Sequence, residues 1–449
     1  MGDYITVLTR WSLETQEMYF ACARAGFIMI PVSYRLLPME IENIMKYVGS
    51  KVIVFEQKFA GLVSPISLDL KKYVIGERED GSIPFEELFR SEPTEPQIEI
   101  QDATPVTLGF TSGTTGTPKV FLRTHYANFN NHLGYALMFD MTYRDIGLTA
   151  IPPLTGVTWN AGLLLARADS IVMDFDPIKL LETIQKYQVT IIYLVPAMYK
   201  ALLDVPNLKE YDLSSLRAVA SVGSFLPLPV LEGIREAINP NVYDAYGLQE
   251  AGSLSVIKPD MKVLKPSSVG PPLPMQEIKI VDSRNVELPQ GEIGEVSVKT
   301  ADGAGEYWDN PEKSKESFKN GWFLTGDLGK LDEDGYLYII GRKKDMIVSG
   351  GYNVYATDVE DIILSNPDVE DCAVIGLPDE KWGEKVTAVI KFKQGRTLSA
   401  SELITYCKER MSTYKVPKSV FFIEAIPRTL SGKAMKFKLI ERFKEANPN

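Results

Sequence analysis

The chain has 449 residues, which at ~150 residues per domain suggests two or three domains. Its 45% hydrophobic and 24% charged residues are enough for a large core and exclude disordered, collagen-like and disulfide-scaffold classes. A net charge of −11 argues against nucleic acid as a partner, because binding a phosphate backbone needs a basic face.

No basic, apolar, small-residue leader opens the sequence, so no secretory signal is expected. The longest apolar stretch, Phe20 to Val32, is interrupted by Arg24 and is too short for a bilayer span of ~20 residues. Lys51–Glu56 is rich in β-branched residues and reads as a strand, as does Pro105–Gly109. Strands are then expected at Ser170–Phe175, Thr190–Val195, Leu216–Val222 and Val242–Tyr246. Between them lie helices: Asp176–Gln188 has helical spacing through Ile178, Leu181, Ile184 and Tyr187. Pro196–Val205 and Pro227–Ile238 begin with proline, which suits a first helical turn. Such alternation predicts an α/β fold with parallel-rich sheets flanked by helices.

From about Leu254 the pattern changes to strands and turns (Glu277–Asp282, Glu292–Lys299, Tyr336–Ile340), predicting a small β-barrel-like module over residues 254–341. The end reads as α+β, with helices at Asp358–Ser365 and Ser399–Met411 and strands at Asp371–Leu377, Lys385–Phe392 and Ser419–Ile426. The main boundary is expected near Gly341–Asp345, giving a large domain over residues 1–341 and a small one over 342–449. Residues 341–449 carry a net +3 against −14 for the rest. Three distant cysteines, Cys22, Cys372 and Cys407, give neither a disulfide framework nor metal-ligand spacing. Only two histidines are present, so a His-based metal site or proton relay is not expected.

The most informative stretch is Phe110-Thr-Ser-Gly-Thr-Thr-Gly-Thr-Pro-Lys119, with five hydroxyl side chains, two glycines and one lysine in ten residues. Glycines let backbone N–H groups wrap an anion, hydroxyls donate further bonds and lysine adds charge. The spacing Gly113-x-x-Gly116-x-x-Lys119 is not that of a Walker A loop. It closely resembles the phosphate-binding loop of the adenylate-forming superfamily, the acyl- and aryl-CoA synthetases, luciferases and peptide-synthetase adenylation domains. Four further stretches resemble that family's motifs, in its order: Asp244-Ala-Tyr-Gly-Leu-Gln-Glu250, Gly321-Trp-Phe-Leu-Thr-Gly-Asp327, the run from Gly341 to Asn353, and Pro427-Arg-Thr-Leu-Ser-Gly-Lys433. The resemblance covers nearly the whole chain, although the N-terminus is short relative to the family.

The resemblance implies a large adenylation domain followed by a mobile α+β C-terminal domain. It also implies an ATP-dependent acid–CoA ligase that forms an acyl-adenylate and then a thioester, with ATP, Mg²⁺ and coenzyme A. The substrate carboxylate is its own nucleophile in such chemistry, so no catalytic triad is needed. By carry-over, Thr111, Ser112, Gly113, Thr114, Thr115, Gly116 and Lys119 hold phosphates, and Tyr246 stacks on adenine. Glu250 binds Mg²⁺, Asp327 and Arg342 bind the ribose, and Lys433 bridges carboxylate, ribose and α-phosphate. Lys433, Glu250 and Thr111 are the implied catalytic residues. Lys344 is the implied hinge, and Gly350 and Gly351 border the thiol's path.

Departures from the family pattern are Gln249 in place of the threonine that normally contacts the α-phosphate, and Val120 in place of a glycine. The acyl pocket is expected among Thr155, Val157, Trp159, Gly223, Phe225, Ala245 and Gly247. No aspartate in Pro152–Asn160 is available to anchor a substrate ammonium, which favours an uncharged or aromatic acid over an amino acid. Two alternatives stay open: loading of a carrier-protein phosphopantetheine, and a non-catalytic acyl-adenylate binder. Expected partners are a small carboxylic acid, ATP and CoA, with no nucleic acid, no transmembrane segment, a cytoplasmic location and a homodimer as one option for assembly.

Overall fold

The computed structural model describes residues 2–10, 12–90, 92, 94–111, 119–151, 153–301, 303, 305–428 and 433–445. Four sheets organise them. The first has seven strands in the spatial order Ile83–Pro84, Lys71–Ile75, Val52–Glu56, Tyr4–Leu8, Ile28–Pro31, Pro105–Thr111 and Lys119–Thr124. All its pairings are parallel except the last, in which Thr111 lies opposite Lys119. The apolar Phe20–Val32 stretch is thus two elements: the helix Leu13–Ala25 stops at Gly26, whose φ of 67° few other residues adopt, and the strand Ile28–Pro31 follows. The strands Tyr4–Leu8 and Ile28–Pro31 escape the pattern reading because each is short and adjoins a helix.

The second sheet has six strands, in the order Gly252–Ile257, Val242–Leu248, Ala218–Val222, Ile191–Leu194, Ile146–Thr149 and Asp169–Val172. Only the Val242–Leu248 and Gly252–Ile257 pair is antiparallel. Alternation along these strands sends side chains to two cores. Ile192, Leu194, Val219 and Val242 meet Leu181, Ile184, Tyr199, Leu202 and Leu231 from the helices Pro177–Tyr187, Pro196–Leu203 and Leu228–Ala237. Ile191, Tyr193, Ala218 and Ala220 meet Tyr135, Trp159 and Leu163 from the helices His125–Met138 and Pro153–Leu165, and Phe139 just past the end of the first. The helix after Asp176 begins as expected, with that carboxylate accepting from the Lys179 N–H at 2.9 Å, and ends at Gln188 in the left-handed region.

The expected β-rich module is an antiparallel sheet of Gln276–Val281, Gly294–Thr300, Trp322–Leu331, Phe318–Lys319 and Leu337–Arg342. The last sheet comprises Tyr352–Tyr355, Met346–Ser349, Gly383–Phe392, Val369–Asp379 and Ser419–Phe422. The helices Ala356–Leu364 and Ala400–Lys408 cover one core beside it and Lys436–Glu445 another. Among the described residues no helix is long and apolar enough to cross a membrane.

Candidate active site

Asp327 lies in the strand Trp322–Leu331, directly opposite Arg342 in the antiparallel register. A local bend fixes it. Thr325 Oγ1 donates to the Val296 carbonyl at 2.8 Å and accepts the Asp327 N–H at 3.0 Å, while Gly326 takes a φ of 72°. The carboxylate is 4% exposed; Oδ1 pairs with Arg342 Nε at 2.7 Å, and Oδ2 accepts the Tyr246 hydroxyl at 2.6 Å. Burial pushes the Asp327 carboxyl above its ordinary range, and Arg342, the Tyr246 hydrogen bond and the Lys433 charge pull it back only in part. Burial, and then the Asp327 charge, also drive the Tyr246 phenol well above its usual value, so it stays a donor.

Tyr246 belongs to the hairpin whose turn, residues 249–251, carries Glu250. The register slips between Tyr246 and Gly247, and a Cβ on Gly247 would sit 2.5 Å from the Gly252 carbonyl oxygen. Gly247 is therefore required by the close approach of its partner strand. Glu250 acts electrostatically on Arg342, on Lys433 and on the Tyr307 phenol, which burial, then Glu250, push up to about 12.

Lys433 directly precedes Ala434, which bridges Arg428, and the Met435 N–H donates to the Pro427 carbonyl at 2.7 Å. Ion pairs anchor the flanking chain: Arg428 with Asp371 at 2.5 Å, and Lys436 with Glu360 at 2.7 Å. The Lys433 side chain keeps contact with solvent, yet enough protein surrounds its ammonium to lower its pKa. Desolvation is the main cause and Arg342 adds to it, against Asp327 and Glu250. Lys344, in the 3₁₀ turn Lys343–Asp345 directly after Arg342, is exposed and within electrostatic reach of Lys433.

Tyr246, Glu250, Asp327, Arg342 and Lys433 thus come together from four separate stretches of chain. The expected acyl-pocket residues do not all meet. Trp159 is fully buried, stacked on Tyr193 at 4.5 Å, in one cluster with Ala245. Val157 packs with Val7, Met18 and Met29 beneath the seven-stranded sheet. Gly223 has a φ of 87° and Phe225 is partly exposed. Gln249 is exposed, and its carbonyl accepts Arg123 Nη1 at 3.2 Å. Ser112, Gly113, Thr114, Thr115 and Gly116 lie outside the described residues, and of Thr111, Lys119 and Thr155 only the backbone is described. Tyr307 and Arg123 belong to none of the sequence motifs. An arginine directly after the apolar run Val120–Leu122 is the available signal for the second.

Residues 1–308 match the profile of the AMP-binding enzymes, and residues 358–433 match that of the AMP-binding enzyme C-terminal domain. The chain belongs to the AMP-binding enzyme family. A long-chain-fatty-acid–CoA ligase of Mycobacterium tuberculosis is 33% identical over 456 residues, covering 100% of this chain and 89% of that protein. A feruloyl-CoA synthase of an Amycolatopsis species is 31% identical over 447 residues, covering 98% and 89%. ATP-bound MatB from Rhodopseudomonas palustris superposes with a TM-score of 0.91 at 28% identity, over 99% of this chain and 90% of that one. Within the AMP-binding enzymes the chain is of the acyl-CoA synthetase type.

The donor set of this AMP-binding enzyme fits Mg²⁺ arriving with a nucleotide. Among the described residues no group of three or more His, Cys, Asp or Glu side chains is arranged to hold a metal by itself. Glu250 offers one carboxylate, and Mg²⁺ characteristically takes one or two carboxylates together with substrate phosphates and water. The Asp327 carboxylate has about four lone-pair sites, of which the described bonds use two, so it can also accept from a sugar hydroxyl.

Proposed function

We propose that this enzyme activates an uncharged or aromatic carboxylic acid in two half-reactions. An oxygen of the acid's carboxylate attacks the α-phosphorus of ATP and expels pyrophosphate. The CoA thiol, losing its proton, then attacks the acyl carbonyl of the adenylate and expels AMP. Mg²⁺, when bound, neutralises polyphosphate charge. Glu250 holds it, Asp327 and Arg342 hold the ribose, Tyr246 faces the adenine and the loop from Thr111 to Lys119 holds the β- and γ-phosphates. Lys433 offsets the charge that gathers where two anions must approach each other.

One observation carries this reading: the ammonium of Lys433, from the far end of the chain, is within electrostatic reach of Asp327, Glu250 and Arg342. A pure nucleotide binder has no need of that lysine. The acid class rests on Pro152–Asn160, which holds no aspartate to receive an ammonium. Three buried free cysteines suit a cytoplasmic enzyme. The assembly, monomer or homodimer, is read by sedimentation velocity.

Acid-dependent ATP–pyrophosphate exchange across aliphatic and aromatic acids, followed by product analysis with free CoA, tests the reading. Exchange with acyl-CoA formation supports it. Exchange without acyl-CoA assigns the acyl group to a carrier protein, and no exchange by folded, ATP-binding protein overturns catalysis.

After adenylation, residues 342–449 turn about Lys344 against residues 1–341, and the Gly350-Gly351 loop replaces Lys433. That loop is a two-residue turn between Ser349 and Tyr352 with φ of 62° and 83°. A Cβ on Gly350 would lie 2.8 Å from the Trp382 ring, whereas one on Gly351 meets nothing within 4 Å. Both alanine variants carry the ~1–2 kcal/mol cost of a left-handed alanine, about tenfold in rate, and Gly350→Ala adds the Trp382 clash. Gly350→Ala should therefore slow thioester formation from supplied acyl-adenylate more than Gly351→Ala, with adenylation holding in both. Equal effects of the two on both half-reactions, in rapid-quench assays, would contradict this role.

A further inference from the structure

The turn that carries Glu250 is gripped at alternate residues by side chains from elsewhere. Arg123 Nη1 donates to the Gln249 carbonyl at 3.2 Å, Thr300 Oγ1 donates to the Ala251 carbonyl at 3.1 Å, and Asn131 Oδ1 accepts both the N–H and the hydroxyl of Ser253, at 3.1 and 2.9 Å. Arg123 is itself fixed. It is 6% exposed, and its Nε donates to Asn128 Oδ1 at 2.8 Å. Asn128 Nδ2 in turn donates to the Tyr19 hydroxyl at 3.0 Å and to Thr107 Oγ1 at 3.4 Å, and Tyr19 meets His132 Nε2 at 3.3 Å. Asn128 and Asn131 are three residues apart on the helix His125–Met138, so both amides leave from one face.

This chain of bonds begins in the strand Lys119–Thr124, which leads out of the phosphate-loop sequence. Burying a guanidinium costs several kcal/mol unless hydrogen bonds compensate, and an apolar residue would fill a core strand at less cost. A charge placed there is best explained by what it holds. Its carbonyl contact falls on the residue just before Glu250, where it limits how the turn can rotate. Gln249 occupies the position of a family threonine, and its side chain is exposed, so the backbone grip is what orients the turn at this point.

We propose that Arg123, braced by Asn128, is a positioning residue that fixes the Gln249–Glu250 turn for the metal ion accompanying ATP. The proposal rests on the reading of Glu250 as the Mg²⁺ ligand. Partners that orient a metal ligand commonly change metal affinity about 10–100-fold when removed. Arg123→Met keeps most of the stem and removes the guanidinium, and with it the donors to Asn128 and Gln249. Arg123→Gln is neutral, easier to bury, and retains one amide donor.

The test is the Mg²⁺ dependence of ATP–pyrophosphate exchange, paired with Mn²⁺ binding to the enzyme–ATP complex followed by electron paramagnetic resonance. Arg123→Met should raise the half-saturating metal concentration by about 10–100-fold in both readouts. Arg123→Gln should raise it less, and excess Mg²⁺ should restore exchange. The KM of the carboxylic acid should not change, nor should CoA capture of supplied acyl-adenylate, a step that carries no polyphosphate. Glu250→Gln is the control. If it shifts neither readout, the Mg²⁺ reading of Glu250 fails. If it shifts both while the two folded Arg123 variants match the wild type, or lose activity equally toward acid, ATP and supplied adenylate, the positioning role is overturned. Should Arg123→Met fail to fold, Arg123→Gln alone decides by the same criterion.

Discussion

Lys433→Met should lower acyl-adenylate formation by about 10²–10³-fold, the usual loss on removing one preorganised donor at a developing charge. CoA capture of supplied acyl-adenylate should stay near the wild-type rate. Methionine keeps the stem and removes only the ammonium, so the split between half-reactions reports the charge. The sign of the pKa shift sets the expectation for folding. Desolvation, with Arg342, lowers the Lys433 pKa, so between that lowered value and lysine's ordinary 10.5 the unfolded chain binds more protons than the folded one. Stability contributed by this group therefore rises with pH through that window, and holding the ammonium at neutral pH works against the fold. The variant should melt no lower than the wild type. With the protonated amine as the proposed working form, wild-type exchange should fall as pH rises through a pKa below 10.5, and the limb should vanish in Lys433→Met. An alkaline limb at or above the ordinary lysine value would show that the active form of the enzyme does not hold this amine as described.

Much of this site is legible in the sequence because its residues sit in short local motifs. Thr325, Gly326 and Asp327 share a local bend, with the Thr325 hydroxyl accepting the Asp327 N–H and a left-handed glycine between them, so part of the carboxylate's placement is written in consecutive residues. The strand–helix alternation from residue 169 onward reads clearly because single-faced helices and β-branched strands differ in period. What binds the motifs to each other is not local. Arg123 and Gln249 are 126 residues apart, and Asn131 and Ser253 are 122, and no spacing rule joins such positions. Val157 and Trp159, both expected at the acyl pocket, lie on the helix Pro153–Leu165, where residues two apart differ by about 200° in direction. That helix runs between two sheets, so one side chain enters each core. Ala245 then sides with Trp159, and the small residue sits against an aromatic wall of Trp159, Tyr193, Tyr135 and Phe139.

The Asp327–Arg342 pair separates what serves ATP from what serves the fold. Asp327→Asn should raise the KM of ATP by about 10²-fold, since hydrogen bonds to a charged acceptor contribute ~1.5–3 kcal/mol each and a ribose offers two hydroxyls. Arg342→Met should weaken ATP similarly through the same sugar. Stability should behave otherwise. Removing either partner leaves the other with an uncompensated polar burden, a loss of about 3–5 kcal/mol in a dry interior. Arg342 is about one-third exposed, 34%, so water relieves part of that loss and about 1–3 kcal/mol is expected here. The double variant, Asp327→Asn with Arg342→Met, has no orphaned charge and should recover most of the stability lost in the less stable single variant. It should recover none of the ATP affinity. Burial has pushed the Asp327 carboxyl up despite its arginine. Denaturant melts and ATP titrations on the three variants decide the matter: if stability and ATP affinity recover together in the double variant, the pair is structural and the ribose is held elsewhere.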